Sequence, residues 1–231
     1  MADYALYYWP VPFRGQPIRA VLAHVGASWE EFDYQAINAF KSKPPAKQPV
    51  PHMGPPVLID HAADTVLSQM PAILSYLGVR HGLLPEDPAR RAMTDKILGD
   101  TNDVFNDMTL HNGAQMWTPE SWSAFRPRLE RWMQIFEETG RRCGMTAENG
   151  FMLGTDGPGI ADFTTAILWG TMVHTLPQLR PILDDAAPDL AGLCDRIAAL
   201  PEQSELRDRS DASYGQLWCA GQIEASLRAV L

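Results

Sequence analysis

A small α/β domain followed by an all-helical domain is the fold class that the sequence predicts, from three observations. Residues 4–9, Tyr-Ala-Leu-Tyr-Tyr-Trp, are strand formers halted by Pro10-Val11-Pro12, and a helical pattern opens behind them. Pro55-Pro56 leads into two short apolar runs, Val57-Leu58-Ile59 and Val66-Leu67, around a polar turn and then into a second helix. Beyond Leu83-Leu84-Pro85-Glu86-Asp87-Pro88 the strand signals vanish and helical periodicity takes over.

The first helix, opened by Arg14-Gly15-Gln16-Pro17, places proline where the backbone N–H has no intrahelical acceptor to lose. Its apolar stripe is Ile18, Val21, Leu22 and Val25, and Gly26 ends it. Residues 29–34 read as a second strand. Residues 41–53 carry Pro44, Pro45, Pro49 and Pro51, too many for a regular element, and read as a loop with one short helical turn. The hairpin then runs to Met70, and the helix opened by Gln69 and Pro71 ends near Tyr76-Leu77, with a polar side chain at a helix mouth suited to an anion. The order β-α-β, then β-β-α, closes one sheet backed by helices, a complete domain over residues 1–82 with a proline-bracketed linker at 83–88.

Residues 89–231 then form the all-helical domain, with runs at 89–112, 120–141, 159–174 and 190–200 and a last segment near 214–231. The run behind Gly159 is the most apolar. Asp162 stands three residues past that glycine, where a carboxylate accepts the Gly159 N–H as half of a capping box. It is a folding residue on this reading.

With 231 residues, 45% hydrophobic content and a net charge of −9, the chain has the material for a buried core and an acidic surface that repels nucleic acid and anionic membrane. No segment reaches the roughly 18 uninterrupted apolar residues of a membrane span, and Met1-Ala2-Asp3-Tyr4 has no basic and apolar leader pattern. A cytoplasmic protein is the expectation. Cys143, Cys194 and Cys219 are widely spaced and odd in number, which indicates neither a disulfide framework nor a Cys-x-x-Cys pair. The six histidines never fall four residues apart, and Gly154-Thr155-Asp156-Gly157-Pro158-Gly159 lacks the lysine of a phosphate loop, so neither a metal nor a nucleotide cofactor is expected.

The Pro55-Pro56 hairpin and its helix resemble the glutathione-binding half of the cytosolic glutathione transferases, whose first domain is thioredoxin-like. Tyr7-Tyr8-Trp9-Pro10-Val11-Pro12-Phe13-Arg14-Gly15 is similar to the first strand end of their tyrosine-type classes (mu, pi, alpha and sigma), where a tyrosine precedes an aromatic residue, a short loop and Arg-Gly. On that match Tyr8 holds the catalytic position and Tyr7 packs. The resemblance implies a cis peptide before Pro56, with Pro55 and Pro56 pairing strand-fashion with the cysteine backbone of glutathione. It implies that Gln69 and Met70 grip the γ-glutamyl carboxylate, that Arg14 belongs to the same pocket, and that Asp103 reaches the γ-glutamyl amine in a partner subunit. Lys41, Lys43 or Lys47 could reach the glycine carboxylate, Lys43 being the expected one. Phe13, Met108, His111 and Trp218 are the candidate walls of an electrophile pocket between the domains, with Met116 and Trp117 beside them.

Three departures from the family pattern stand out. Pro12 and Phe13 are extra residues between the tyrosine and Arg-Gly, Met70 replaces a serine whose hydroxyl binds the carboxylate, and Gly159 replaces the usual Ser or Thr.

The chemistry needs a thiolate, because a thiol with reference pKa near 8.5 is only a few per cent ionised at neutral pH. A phenol O–H aimed at the sulfur stabilises the anion while staying protonated itself. Residues 11–16 contain neither Ser nor Cys, which leaves tyrosine as the candidate. The expected function is conjugation of glutathione, as co-substrate, to a small apolar electrophile by a homodimer. The alternatives are a glutathione-dependent isomerase or peroxidase, and a non-catalytic binding or interaction protein of the same fold.

Overall fold

The computed structural model describes residues 2–231. Four strands form one mixed sheet in the order β2-β1-β3-β4. Strand β1 (Tyr4–Tyr7) runs parallel to β2 (Trp29–Glu31) and antiparallel to β3 (Val57–Asp60), which pairs antiparallel with β4 (Thr65–Ser68). Parallel neighbours need a crossover, and α1 (Gln16–His24) supplies it. Helix α3 (Met70–Arg80) packs beside α1 and over β3 and β4, so that Leu6, Ile18, Val21, Leu22, Leu58, Ile73 and Leu74 close a core excluded from water.

Two expectations in this half need correction. The second strand stops at Glu31 rather than Tyr34, because the Asp33 carboxylate accepts the Ala36 N–H at 2.8 Å and starts a helix, α2 (Tyr34–Lys41). Helix α2 buries only Ile37, so no apolar period announces it. The third helix also runs past Leu77 to Arg80.

The remainder is helical: α4 (Pro88–Met108), α5 (Leu110–Gly113), α6 (Pro119–Arg141), α7 (Ile160–Thr175), α8 (Arg180–Ala186), α9 (Pro188–Ala198), α10 (Pro201–Tyr214) and α11 (Gly221–Val230). A thioredoxin-like α/β part followed by an all-helical part is therefore the observed class. Helix α7 is the hub, apolar nearly all round and packed against α1, α4 and α9. Helix α4 ends at Met108, not at Asn112, since Leu110, His111 and Asn112 take positive φ values of 44, 59 and 58°. The last segment likewise divides: Tyr214 ends α10, the chain turns at Gly215 with φ 60°, and α11 begins at Gly221.

The start of α7 explains one departure from the family pattern. Asp162 accepts the Gly159 N–H at 2.9 Å and the Met152 N–H at 2.7 Å from a buried position, and burial pushes its carboxyl up to about 6. The raised value means that this group favours the folded state most below 3.8 and that the contribution is lost as pH rises through about 6. A Cβ at Gly159 would stand 2.8 Å from the Leu83 carbonyl oxygen, which itself accepts the Ile160 N–H at 3.0 Å. No side chain fits there. Gly159→Ser is accordingly expected to lower unfolding free energy by about 1 to 3 kcal/mol, read as a shift of the urea midpoint; an unshifted midpoint would show that Leu83 yields freely.

Candidate functional site

Sheet register builds the site. Tyr7 pairs with Val57 and Val57 with Ser68, so continuing the pairing by one residue sets Tyr8, Pro56 and Gln69 in one row across the end of the sheet. The Gln69 N–H donates to the Pro56 carbonyl at 3.3 Å, and the Pro55–Pro56 peptide is cis. Gln69 turns the chain into α3 at φ 74° and leaves its amide exposed. Met70 is the first helical residue, where a backbone N–H has no intrahelical acceptor, but its side chain is wholly buried in the core.

Period-two alternation sends the paired tyrosines apart. Tyr7 lies stacked between Phe32 and Phe40, with ring centroids 4.1 and 4.4 Å away. Tyr8 faces the other way, only 3% exposed, and its hydroxyl oxygen accepts the Arg14 backbone N–H at 3.0 Å. Among the described residues no protein group accepts the Tyr8 proton. Burial pushes the phenol well above its ordinary range, with the charges of Arg14 and Arg19 opposing the shift only in part, so it is a proton donor and not a base at neutral pH.

The loop beside Tyr8 is held by Arg19, a residue that the sequence reading passed over. Its guanidinium, 1% exposed, donates to the Val11 carbonyl at 2.9 Å and forms a fork on the Glu31 carboxylate, Nε to Oε1 at 2.9 Å and Nη2 to Oε2 at 2.6 Å. A charged residue adjoining the apolar stripe of α1 was the available signal. The glycine of Arg-Gly is explained by the same packing, since a Cβ on Gly15 would stand 2.3 Å from the Tyr8 ring and 2.9 Å from Arg19 Nη1.

The extra residues tie the two halves together. Pro12 accepts the Gln16 N–H at 2.8 Å, and residues 13–15 wind into a 3-10 turn. Phe13, at φ 29°, donates its N–H to the Trp218 carbonyl at 3.2 Å and packs against Phe105 and Trp218 with centroids at 4.6 and 5.0 Å. The Arg14 guanidinium lies 4.7 Å from the Phe13 ring centre and donates to Asn102 at 3.2 Å. Trp218 is in turn fixed by Glu224, whose Oε2 accepts the N–H groups of Trp218, Cys219 and Ala220 at 2.9, 2.8 and 2.6 Å while Arg228 donates to its Oε1 at 2.8 Å. Burial, then the nearby Glu224 charge, pushes the Cys219 thiol up to about 12. Glu224→Ala is expected to speed amide hydrogen exchange at residues 218–220 selectively and to cost about 3 kcal/mol, from buried donors left unpaired. Unchanged exchange there would locate the anchoring of Trp218 elsewhere.

The other candidates are distributed as follows. Phe13, Met108 and Trp218 are buried, whereas His111 is exposed on the turn after α4 and pairs with Asn106 at 3.0 Å. Trp117 is buried and donates its indole N–H to the Met108 carbonyl at 3.0 Å, and Met116 is exposed. Lys43 is exposed with its ammonium 5.4 Å from the Phe40 ring centre, while Lys41 lies 5.4 Å from that of Trp9. Asp103 is exposed on α4. Among the described residues no cluster of three or more metal-ligating side chains occurs, and no helix is long and apolar enough to cross a membrane.

Residues 93–230 match the family described as glutathione S-transferase, C-terminal domain. The Xenopus laevis protein named glutathione S-transferase P 1 is 36% identical over 104 residues, which cover 45% of this chain and 48% of the relative; the match thus spans about half of that relative's length. A solved structure described as a major nematode C. elegans specific GST superposes with a TM-score of 0.71 at 18% identity, covering 90% of this chain and 97% of the other. A Nu-class GST from Haemonchus contortus gives a TM-score of 0.68 at 20% identity with the same coverage, 90% and 97%. At such identities the structural likeness speaks for the fold.

Proposed function

The chain belongs to the glutathione S-transferase family, and on that premise we propose that it joins the sulfur of glutathione to a small apolar electrophile, with Tyr8 holding that sulfur as thiolate. The observation that carries this reading is the Tyr8 hydroxyl, whose oxygen takes the Arg14 N–H and whose proton has no acceptor among the described residues. A sulfur placed there receives the phenol hydrogen bond. The thiol proton leaves to solvent, the thiolate lone pair forms the bond to the electrophilic carbon, and the leaving group departs with its electron pair. Tyr8 keeps its proton throughout.

The row of Tyr8, Pro56 and Gln69 supports the same reading, because it aligns the donor with a strand edge and with the mouth of α3. In this proposal Pro55 and Pro56 meet the cysteine backbone of glutathione, the Met70 N–H and Gln69 take the γ-glutamyl carboxylate, Arg14 and Lys43 supply positive charge, and Asp103 serves the site of a second copy in a homodimer. Phe13, Met108 and Trp218 meet the electrophile, with His111 from the turn after α4. No metal or other cofactor takes part, and the cytoplasm is the setting.

The buried Met70 side chain favours a second reading. It offers the carboxylate no donor, a loss of roughly 1.5 to 3 kcal/mol, so glutathione binding would be weak and the fold kept for binding another molecule. Incubation with glutathione and a chlorodinitrobenzene separates the cases: one chloride and one thioether per glutathione consumed supports the transferase. Absence of turnover together with absence of glutathione binding at millimolar concentration would refute it. Disulfide formation from a hydroperoxide, or isomerisation without net loss of glutathione, would move the reaction to the sister chemistries.

A further inference from the structure

Glu137 on α6 and Glu224 on α11 are held alike. Both are buried, each accepts backbone N–H groups at a helix start, and each pairs with an arginine four residues on, Arg141 and Arg228. Only Glu224 is linked to Tyr8. The Cys219 N–H that it accepts at 2.8 Å and the Trp218 carbonyl belong to one peptide, and that carbonyl accepts the Phe13 N–H at 3.2 Å. The next N–H along the chain, that of Arg14, donates to the Tyr8 hydroxyl oxygen at 3.0 Å.

A carboxylate on the N–H of a peptide polarises that peptide and makes its carbonyl the better acceptor. The bond from Phe13 to Trp218 matters because the segments it joins are strained. Phe13 has φ 29° and Ala220 φ 62°, values that a residue other than glycine keeps only where its surroundings hold it. The rings of Phe105 and Trp218 hold the Phe13 side chain, and the Trp218 carbonyl holds its backbone. A phenol oxygen that accepts an N–H is in turn the better donor through its own proton. On the reading of Tyr8 as the donor to the glutathione sulfur, we propose that Glu224 is a positioning residue for the thiolate. Through the 218–219 peptide and Phe13 it aims the Arg14 N–H at Tyr8, and so strengthens the phenol's bond to the sulfur. Its own charge is balanced by Arg228, Nε to Oε1 at 2.8 Å.

Glu224→Ala and Glu137→Ala, each in the full chain, separate positioning from folding. Both strip buried N–H groups of their acceptor, so both are expected to lower the urea midpoint. Only Glu224→Ala is expected to raise the pKa of the bound glutathione thiol, by at least about half a unit, or roughly threefold in the ratio of thiolate to thiol. The sign is diagnostic, because loss of a nearby negative charge would by itself make the thiol more acidic. In the protein without glutathione, the Arg14 amide proton resonance is expected to move upfield in Glu224→Ala and to stay in place in Glu137→Ala. Glu224→Gln keeps the shape of the side chain and is expected to move both readouts the same way by a smaller amount. The proposal is overturned by a thiol pKa unmoved or lowered in both Glu224 variants, by an Arg14 resonance unmoved in both, or by equal shifts in Glu137→Ala. A bound thiol that titrates at the reference value in the wild type would refute the role of Tyr8 instead, and the Arg14 resonance then decides whether Glu224 orders the loop.

Discussion

Tyr8→Phe is expected to lower kcat/KM for conjugation about a hundredfold or more, the usual consequence of deleting one donor aimed at a developing or stabilised anion. The phenylalanine keeps the ring that fills the space over Gly15 and Arg19, so the loop retains its shape. Only the Arg14 N–H loses an acceptor, at a stability cost of about 1 kcal/mol. Fold and rate are therefore separable in this variant. Tyr7→Phe is the matching control: stacked between Phe32 and Phe40, Tyr7 contributes its ring, and its substitution is expected to leave the rate within about twofold. Equal losses in both variants would mean that the aromatic strand end acts through packing alone.

The second large effect is on stability. Arg19→Met keeps the buried stem but leaves the Val11 carbonyl without its donor and Glu31 without its guanidinium, holding only the Trp29 indole N–H at 2.9 Å. Removing one member of a buried pair costs about 3 to 5 kcal/mol, and the lower end applies because the Glu31 side chain is 28% exposed. Burial alone would push the Glu31 carboxyl up, yet the hydrogen bonds and charge of Arg19 outweigh it and hold the group below its ordinary value. A depressed carboxyl contributes stability that is present above its unfolded pKa and is lost as pH falls through the folded value. The wild type should thus lose this contribution on acidification, and Arg19→Met should be less stable at neutral pH with a flatter acid limb. Urea midpoints of the two proteins from neutral to acid pH read both effects; parallel curves would assign the Arg19–Glu31 pair no role in the loop.

Residues 4–9, the proline-led hairpin and the mouth of α3 were legible because their signals are local: alternation, prolines and a helix start within a few residues. That locality also brought Tyr8 and Gln69 forward as candidates, and the register sets the two in one row across the end of the sheet. Arg19 was hidden because its importance comes from the Val11 carbonyl oxygen and a strand carboxylate that no spacing reveals. Helix α10 escaped for a different reason. Its inward positions at helical spacing, Gln203, Leu206 and Ser210, are mostly polar, so the apolar period that marks a helix is missing. Phe13 was legible as an insertion, but its bond to Trp218 joins the two ends of the chain and follows from tertiary packing alone. His111 fell on the helical period of α4, yet the chain leaves that helix at Thr109, whose hydroxyl bonds back to the Phe105 carbonyl at 2.8 Å.

The ionisation of bound glutathione, followed by ultraviolet absorbance of the thiolate against pH in the wild type and in Tyr8→Phe, bears most directly on the proposed role of Tyr8. The account predicts a bound thiol titrating at least about one unit below the reference near 8.5, a stabilisation of about 1.4 kcal/mol, and a return toward the reference in the variant. The same titration in both proteins would contradict it.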